Sequence, residues 1–410
     1  MPATPEFNRR YFVACSTVLA ASAALLRGAR AADEAATLPT ADQFITGKDK
    51  RLIMHNAKVG EIETPLKLLS EHAITPKELL FVRNNQVLPG TLTLEAAKSD
   101  DWRIELNGLL KKTASITLTE LKKLPQQEHE LVLQCSGNGR AWFARSVKAE
   151  GAQWQNGAMG NVVFKGVPLK AVLEHCDAQI EDDARYLAAE GKDVPSKEGA
   201  DFEHSIPLDV ALERSMLAIS LNGEPIPKVH GGPVRLVTPG YYGTMNVKWL
   251  SKLRFEAGES KNHHHVGRYR TPLRPIKPGS EFKSTLENSE ANWDMRIKSV
   301  IFAPLEGAKL SPGEVEIRGV AWNDGQTKIE AVEISSDGGQ SWRRAQLTHP
   351  KSPYAWHPWK LVMKLPAGKH KLLSRAIDVT GRAQPLDGAI GWNPAGYAWN
   401  GADVVNIEVA

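Results

Sequence analysis

Leu131–Phe143 reads LVLQCSGNGRAWF. An apolar run, Leu131–Leu133, predicts a short buried strand ending near Cys135. Ser136-Gly137-Asn138-Gly139 are turn-formers that let a backbone fold tightly. A cysteine at a strand end before Gly-Asn-Gly presents its sulfur over a run of backbone N–H groups, a concavity suited to anions. Arg140, five residues on, would stabilise either a thiolate or an anionic ligand. Zinc would need neighbouring Cys or His ligands at metal-site spacing, which the sequence lacks, and there is no Cys-x-x-Cys-His for haem attachment.

The N-terminus bears on the redox setting of that cysteine. Asn8-Arg9-Arg10-Tyr11-Phe12 precedes an uncharged Ala-rich stretch to Leu26, then Ala29-Arg30-Ala31-Ala32. This reads as a twin-arginine signal over residues 1–32, giving a periplasmic protein that folded before export. Tyr11–Leu26 is sixteen residues, half of them Ala, Ser or Thr, too short and too small-sided for a membrane anchor. Cys15 leaves with the signal, so Cys135 and Cys176 remain, and a disulfide between them is the competing reading of Cys135. The net charge of +4 falls to +1 once the four arginines and one glutamate of residues 1–32 are removed. A nearly neutral chain argues against a nucleic-acid binder, which releases counterions with a basic surface. No second apolar span follows.

Roughly 380 remaining residues are enough for two domains. The first half reads as mixed α and β. Trp102, Ile104 and Leu106 alternate with charged residues, as in a half-buried strand; Ile206–Leu217 has helical spacing after Pro207; Val234–Val237 is a buried strand closed by Pro239-Gly240. TPLRPIKPG, residues 271–279, is linker chemistry. Beyond it Glu314–Val320, Ile329–Ile334, Leu361–Leu365, Leu372–Ala376 and Val404–Val409 alternate, and Ser335–Gly339 predicts a tight hairpin turn before Trp342. Short strands without helical period predict an immunoglobulin-like β-sandwich. The expected domains are 33–275 and 276–410, in an α+β fold.

Six blocks at compatible spacing resemble the sulfite oxidase family of mononuclear molybdenum enzymes. They are ITPKELLFVRNNQVLPG (74–90), LQCSGNGRAWF (133–143), WQNGAMGNVVFKGVPL (154–169), IPKVHGGPVRLVTPGYYGTMNVKWL (226–250), SSDGGQSW (335–342) and WNPAGYAWN (392–400). The resemblance implies a molybdopterin-binding catalytic domain followed by a dimerisation domain, hence a homodimer. It makes the Cys135 thiolate the one protein ligand to molybdenum, beside one molybdopterin, and leaves Cys176 as a buried structural thiol.

By the same resemblance Arg83 and Arg140 line an anion pocket with Trp154 as its wall. His230, Arg235 and Lys248, with Asn246 in the same block, hold the cofactor and its terminal phosphate. Asn85 stands at a cofactor-side position where many members have histidine, a departure that puts proton handling there in doubt. Tyr269, twenty-one residues past Lys248, matches a tyrosine directed at the reaction centre, although its surroundings, VGRYRTPLRP, match poorly. Arg268 and Arg270 read either as part of a substrate funnel or as solvent-facing. His263-His264-His265 reads as a solvated loop, and Trp322, Trp342, Trp356 and Trp359 as either a dimer face or the sandwich's own core.

The implied reaction oxidises sulfite to sulfate. With no room for a haem domain before the first block, the expected electron acceptor is a separate periplasmic c-type cytochrome. Three rivals stand beside it: a sulfane dehydrogenase subunit of a thiosulfate-oxidising complex, a methionine-sulfoxide or other oxide reductase, and a non-enzymatic exported binding protein with a Cys135–Cys176 disulfide.

Overall fold

The computed structural model describes residues 39–85, 90, 92–97, 99–193 and 201–410. The expected twin-arginine segment, residues 1–32, lies outside them. Among the described residues no helix is long and apolar enough to cross a membrane.

Cys135 follows the strand Gln127–Gln134, which is longer than the three apolar residues predicted: its first half is partly exposed, while Leu131–Gln134 is fully buried. It sits at the edge of a five-stranded sheet, against Met159–Pro168, which pairs in turn with Met216–Leu221. An apolar edge invites pairing with a foreign strand unless something covers it. Here a loop of the C-terminal half does so. Val132 N–H donates to Tyr354 O at 2.9 Å, and Ser352 Oγ donates to Glu130 O at 2.6 Å.

A second sheet orders Ala114–Thr117, Arg103–Gly108, Leu250–Glu256, Tyr186–Gly191 and Glu203–Pro207, with Arg103–Gly108 and Leu250–Glu256 its one parallel pair. Ile104 and Leu106 face inward as the alternation predicted and pack with Leu187, Leu253 and Phe255. The helix expected over Ile206–Leu217 covers only Leu208–Arg214. Pro207 presets its start, but Ser215 turns extended, and the buried run from Met216 continues as an interior strand. Periodicity does not separate short apolar strands from buried helical turns.

The C-terminal half is a sandwich. One sheet runs Lys298–Ala303, Gly313–Trp322, His357–Leu365, Gln346–Leu347; the other runs Lys309–Leu310, Asp403–Val409, Gly368–Asp378, Ile329–Ser335, Arg343–Arg344. Ile317, Val332, Ile334, Leu372 and Ile407 fill the space between them. Two expectations are corrected. Ile334 pairs with Arg343, so the turn is a broad loop over 335–342 organised by the Asp337 carboxylate, which accepts from Gln340 N–H, Ser341 N–H and the Ser335 hydroxyl. The proline-rich stretch begins as a strand, Arg270–Pro272, paired with Ser289–Ala291.

Trp322, Trp356 and Trp359 are buried within the chain, and Trp342 is half-buried with the Arg375 guanidinium 4.2 Å from its ring centroid. These tryptophans therefore form no exposed face. Trp322 reaches into the N-terminal half, donating from Nε1 to Gln134 Oε1 at 2.6 Å, next to Cys135 in sequence.

Candidate active site

Cys135 sits where its strand breaks into a tight turn, and it is buried. Gly137 N–H points at Sγ, 3.4 Å away. The N–H groups of Asn138, Gly139 and Arg140 do not join it, because they are taken up by the carbonyls of Cys135, Gln155 and Gly137. The expected concavity of several free N–H groups therefore reduces to one. Gly139 has φ +92°, and a Cβ there would meet Trp399 Cδ1 at 2.5 Å, so both conformation and space demand glycine. Burial pushes the Cys135 thiol above its ordinary range; the guanidiniums of Arg83 and Arg140 pull the other way without offsetting it. Cys135 and Cys176 are both free thiols, so the disulfide reading fails. Cys176 is half-buried at the end of the Leu169–His175 helix, more exposed than a core thiol.

Cys135 opens onto a cleft with about 700 Å³ of unfilled space. Arg83, Asn85 and Tyr269 line it beside the sulfur. Arg83 Nη2 donates to Asn85 Oδ1 at 2.7 Å and to the Tyr269 hydroxyl at 3.1 Å, while its Nε faces Glu61 Oε1 at 3.3 Å. Burial works against the Arg83 charge, but Tyr269 and Glu61 outweigh it, so the guanidinium holds its proton more tightly than usual. Asn85 Nδ2 is buried beside Tyr269 without a hydrogen-bond partner of good geometry.

The cleft also gathers basic side chains. His230, Arg235 and Lys248 all line it. Arg235 donates from Nε to Asn246 O at 2.8 Å and from Nη1 to His230 O at 3.1 Å; Lys248 donates to Asn84 Oδ1 and, at 3.1 Å, to Val229 O. Burial brings the Arg235 guanidinium down to about 9 and drives Lys248 well below the usual lysine range. His230 is likewise held neutral by burial and by the charges of Lys48, Lys248 and Arg235. Among the residues lining the cleft the one carboxylate is Asp193, pushed up by burial. Buried basic groups facing so little negative charge are a donor set that a dianionic phosphate would charge and pair, and the residues fit the phosphate end of a pterin cofactor. Gly231, at φ +100°, lets the His230 loop pass against Lys248: a Cβ there would meet Lys248 Cβ at 2.7 Å.

Other expected site residues are held by partners within the protein. Arg140 binds the carbonyls of Ala395 and Ala152 through Nε and Nη1 at 2.7 and 2.9 Å, its guanidinium lies 5.5 Å from the Tyr397 ring centroid, and its charge acts on both the Cys135 thiol and Tyr269. It braces the cysteine loop against the C-terminal segment. Trp154 is fully buried in the cluster that contains Cys135, edge-on to His55, and is not a cleft wall. Asn246 lines the cleft, but its side chain is taken up by backbone, accepting from Thr238 N–H at 2.6 Å. Arg268 is exposed, while Arg270 is buried on Glu259 and Ser289, so neither lines the cleft. His264 and His265 are buried in a one-turn helix, not solvated.

Sequence reasoning missed Lys48, whose buried Nζ lies 3.1 Å from His230 Nε2, and Tyr397, which stacks on Tyr269 at 5.1 Å. Lys48 lies in no motif; Tyr397 lies inside the 392–400 block, whose spacing alone does not say that it meets Tyr269.

Residues 91–264 match the family model of the oxidoreductase molybdopterin binding domain, and residues 289–410 that of the Mo-co oxidoreductase dimerisation domain. The chain is similar to mitochondrial sulfite oxidase of Rattus norvegicus, 31% identical over 85% of this chain and 64% of that protein. Sulfite oxidase of Gallus gallus is 31% identical over 90% of this chain and 82% of its own length. Nitrate reductase [NADH] 2 of Phaseolus vulgaris is 29% identical over 92% of this chain but only 44% of its own. Among solved structures, the sulfane dehydrogenase SoxCD from Paracoccus pantotrophus superposes with a TM-score of 0.73 at 27% identity, covering 93% of this chain and 95% of that one. With two domain models matched in series and a chicken relative aligned over most of both lengths, the chain belongs to the sulfite oxidase family of molybdopterin-binding oxidoreductases.

Proposed function

We propose that the protein is a sulfite dehydrogenase that oxidises sulfite to sulfate and passes two electrons to a separate c-type cytochrome. The observation that carries this reading is the buried Cys135 thiol and the Arg83 fork sharing one cleft with the basic cluster of His230, Arg235 and Lys248. Cys135 is the residue that would ligate molybdenum, and His230, Arg235, Lys248 and Lys48 would hold the pterin phosphate. When bound, that cofactor supplies oxygen transfer and takes up the two electrons.

The chain's own residues supply charge and position. Arg83 is a guanidinium held in a partly enclosed cleft, where donors to a doubly charged oxyanion count for more than in open water. Glu61 and Tyr269 hold its plane, so it need not reorganise as charge develops. Asn85 Nδ2 offers a second donor on the same side. Arg140 acts by fixing the Cys135 turn.

The reading extends to a periplasmic protein exported by its 1–32 signal, to a catalytic half over 33–275, and to a homodimer through the half over 276–410. Sulfane oxidation is the second reading, favoured by the similarity to SoxCD over nearly both full lengths. The deciding experiment is sulfite-dependent reduction of ferricytochrome c by the molybdenum-loaded protein. Rapid reduction that vanishes in Cys135→Ser supports the proposal. No reduction by protein with stoichiometric molybdenum sinks it and favours the sulfane reading.

A further inference from the structure

A hydrogen-bonded chain runs from the cleft to a second, open pocket on the protein surface. Thr244 lines the cleft, and its Oγ1 lies 3.3 Å from His204 Nε2. His204 Nδ1 is 3.0 Å from His265 Nδ1, and His265 Nε2 is 2.8 Å from Glu259 Oε2. Both rings are almost wholly buried. Glu259 lines the surface pocket with Glu190, Glu203 and Arg254, and its side chain is 15% exposed.

The protons in this chain can be placed from one fixed donor. Ser205 N–H, which can only donate, lies 3.4 Å from His265 Nδ1. That nitrogen must be the bare one, so the His265 proton sits on Nε2 and points at the Glu259 carboxylate. With His265 Nδ1 accepting, His204 carries its proton on Nδ1. Its Nε2 is then bare and accepts from the Thr244 hydroxyl. Every donor points outward, from cleft to surface. The charged or titratable groups around His204 are His264, His265 and Arg270, with the Tyr269 ring 5.3 Å away; burial and the first three disfavour an imidazolium. Arg270 Nη1, 2.6 Å from Glu259 Oε2, keeps the terminal carboxylate ionised.

We propose that Thr244, His204, His265 and Glu259 form a proton exit path from the active-site cleft to the surface. The need for one rests on the sulfite reading: sulfite and water give sulfate, two protons and two electrons, and the electrons leave to the one-electron acceptor. The protons are released in a buried cleft lined by Arg83, Arg235 and Lys248, an environment that repels them. A proton from cleft water passes to Thr244 Oγ1 as the hydroxyl proton moves to His204 Nε2. The Nδ1 proton of His204 moves to His265 Nδ1, and the Nε2 proton of His265 moves to Glu259, which releases it to solvent. Each pass leaves the two rings protonated on their opposite nitrogens. Ser205 N–H then faces an N–H on His265, which disfavours this arrangement, and the outward order returns as each ring loses the proton on its newly occupied nitrogen and regains one on the other by exchange with solvent.

The test uses the molybdenum-loaded full chain with sulfite as substrate and ferricyanide as acceptor. His265→Gln lies away from the cleft and cannot touch substrate. It should lower kcat at least tenfold, leave KM and molybdenum content unchanged, enlarge the solvent deuterium isotope effect on kcat, and regain rate in concentrated small buffers. Wild-type kcat and isotope effect in this variant overturn the path; so does a loss of rate that follows loss of molybdenum with no isotope change. Should the variant fail to fold, nitrogen-15 NMR of wild-type histidines decides. Protons on His204 Nδ1 and His265 Nε2 support the path, and a proton on His265 Nδ1 overturns it. Absence of sulfite turnover in the wild type overturns the sulfite reading alone, since the tautomers still decide the path.

Discussion

Arg83 Nη2 meets the hydroxyl of Tyr269 at 3.1 Å across 186 residues of sequence. Tyr269 holds φ at +56°, a left-handed conformation that costs a bulky residue energy and persists only where its surroundings enforce it. Tyr397, stacked on it at 5.1 Å, and the guanidinium in front of it are those surroundings. The C-terminal half thus sets the angle of a tyrosine in the catalytic cleft. Both halves of the chain therefore contribute to the surroundings of Tyr269.

Arg83→Gln should cost about 2–4 kcal/mol of transition-state stabilisation, the size of a single preorganised donor, or roughly 30- to 1000-fold in kcat/KM. Arg83→Lys should recover little, because one ammonium cannot reach Asn85, Tyr269 and the substrate as a planar fork does. Steady-state sulfite kinetics check both, and a lysine variant at wild-type rate would contradict the fork argument.

Arg140→Gln should act on stability first. Two carbonyls, Ala395 O and Ala152 O, lose a charged donor in a buried place, a loss of about 1.5–3 kcal/mol. Urea unfolding of the variant should show a lower midpoint with an unchanged slope. A variant as stable as wild type but slow on sulfite would return Arg140 to the substrate pocket.

Much of this was legible in the sequence, for physical reasons. Cys135, Arg83 and the 226–250 block carry chemistry on local motifs, and the turn glycines announce themselves by composition. The sandwich strands alternate because each has one core face. What stayed hidden is long-range. That Arg140 is tied to Ala395 O, 255 residues away, is visible only in the fold. Three adjacent histidines read as solvated because nothing local says that Glu259 and His204 wait to receive His265. Lys48 belongs to no motif, and only the fold brings it to His230.

Trp322→Phe should loosen the junction between the halves. Its Nε1 satisfies the buried Gln134 side chain at 2.6 Å, and removing the donor strands that acceptor at about 1–3 kcal/mol. Because Gln134 precedes Cys135, the same variant should retain less molybdenum. Metal content measured beside the denaturation midpoint checks the coupling; loss of stability with full metal content would confine Trp322 to packing.

Lys48 gives the cofactor-free protein an unusual pH response. Burial brings its ammonium down to about 7, with Glu78 opposing only in part. In the unfolded chain the same lysine keeps its proton to about 10.4. Between those values the unfolded state holds more protons, so stability rises with pH at up to about 1.4 kcal/mol per unit. The cofactor-free protein should therefore gain stability from about pH 7.5 to about pH 9.5, and Lys48→Met should lose that gain. A phosphate bound beside His230 would favour the charged lysine and raise its folded value toward the ordinary one, flattening the slope in the loaded protein. Denaturation midpoints of wild type and Lys48→Met at the two pH values make the comparison. Parallel slopes would mean that Lys48 is already paired with an anion, or hydrated, in the cofactor-free state.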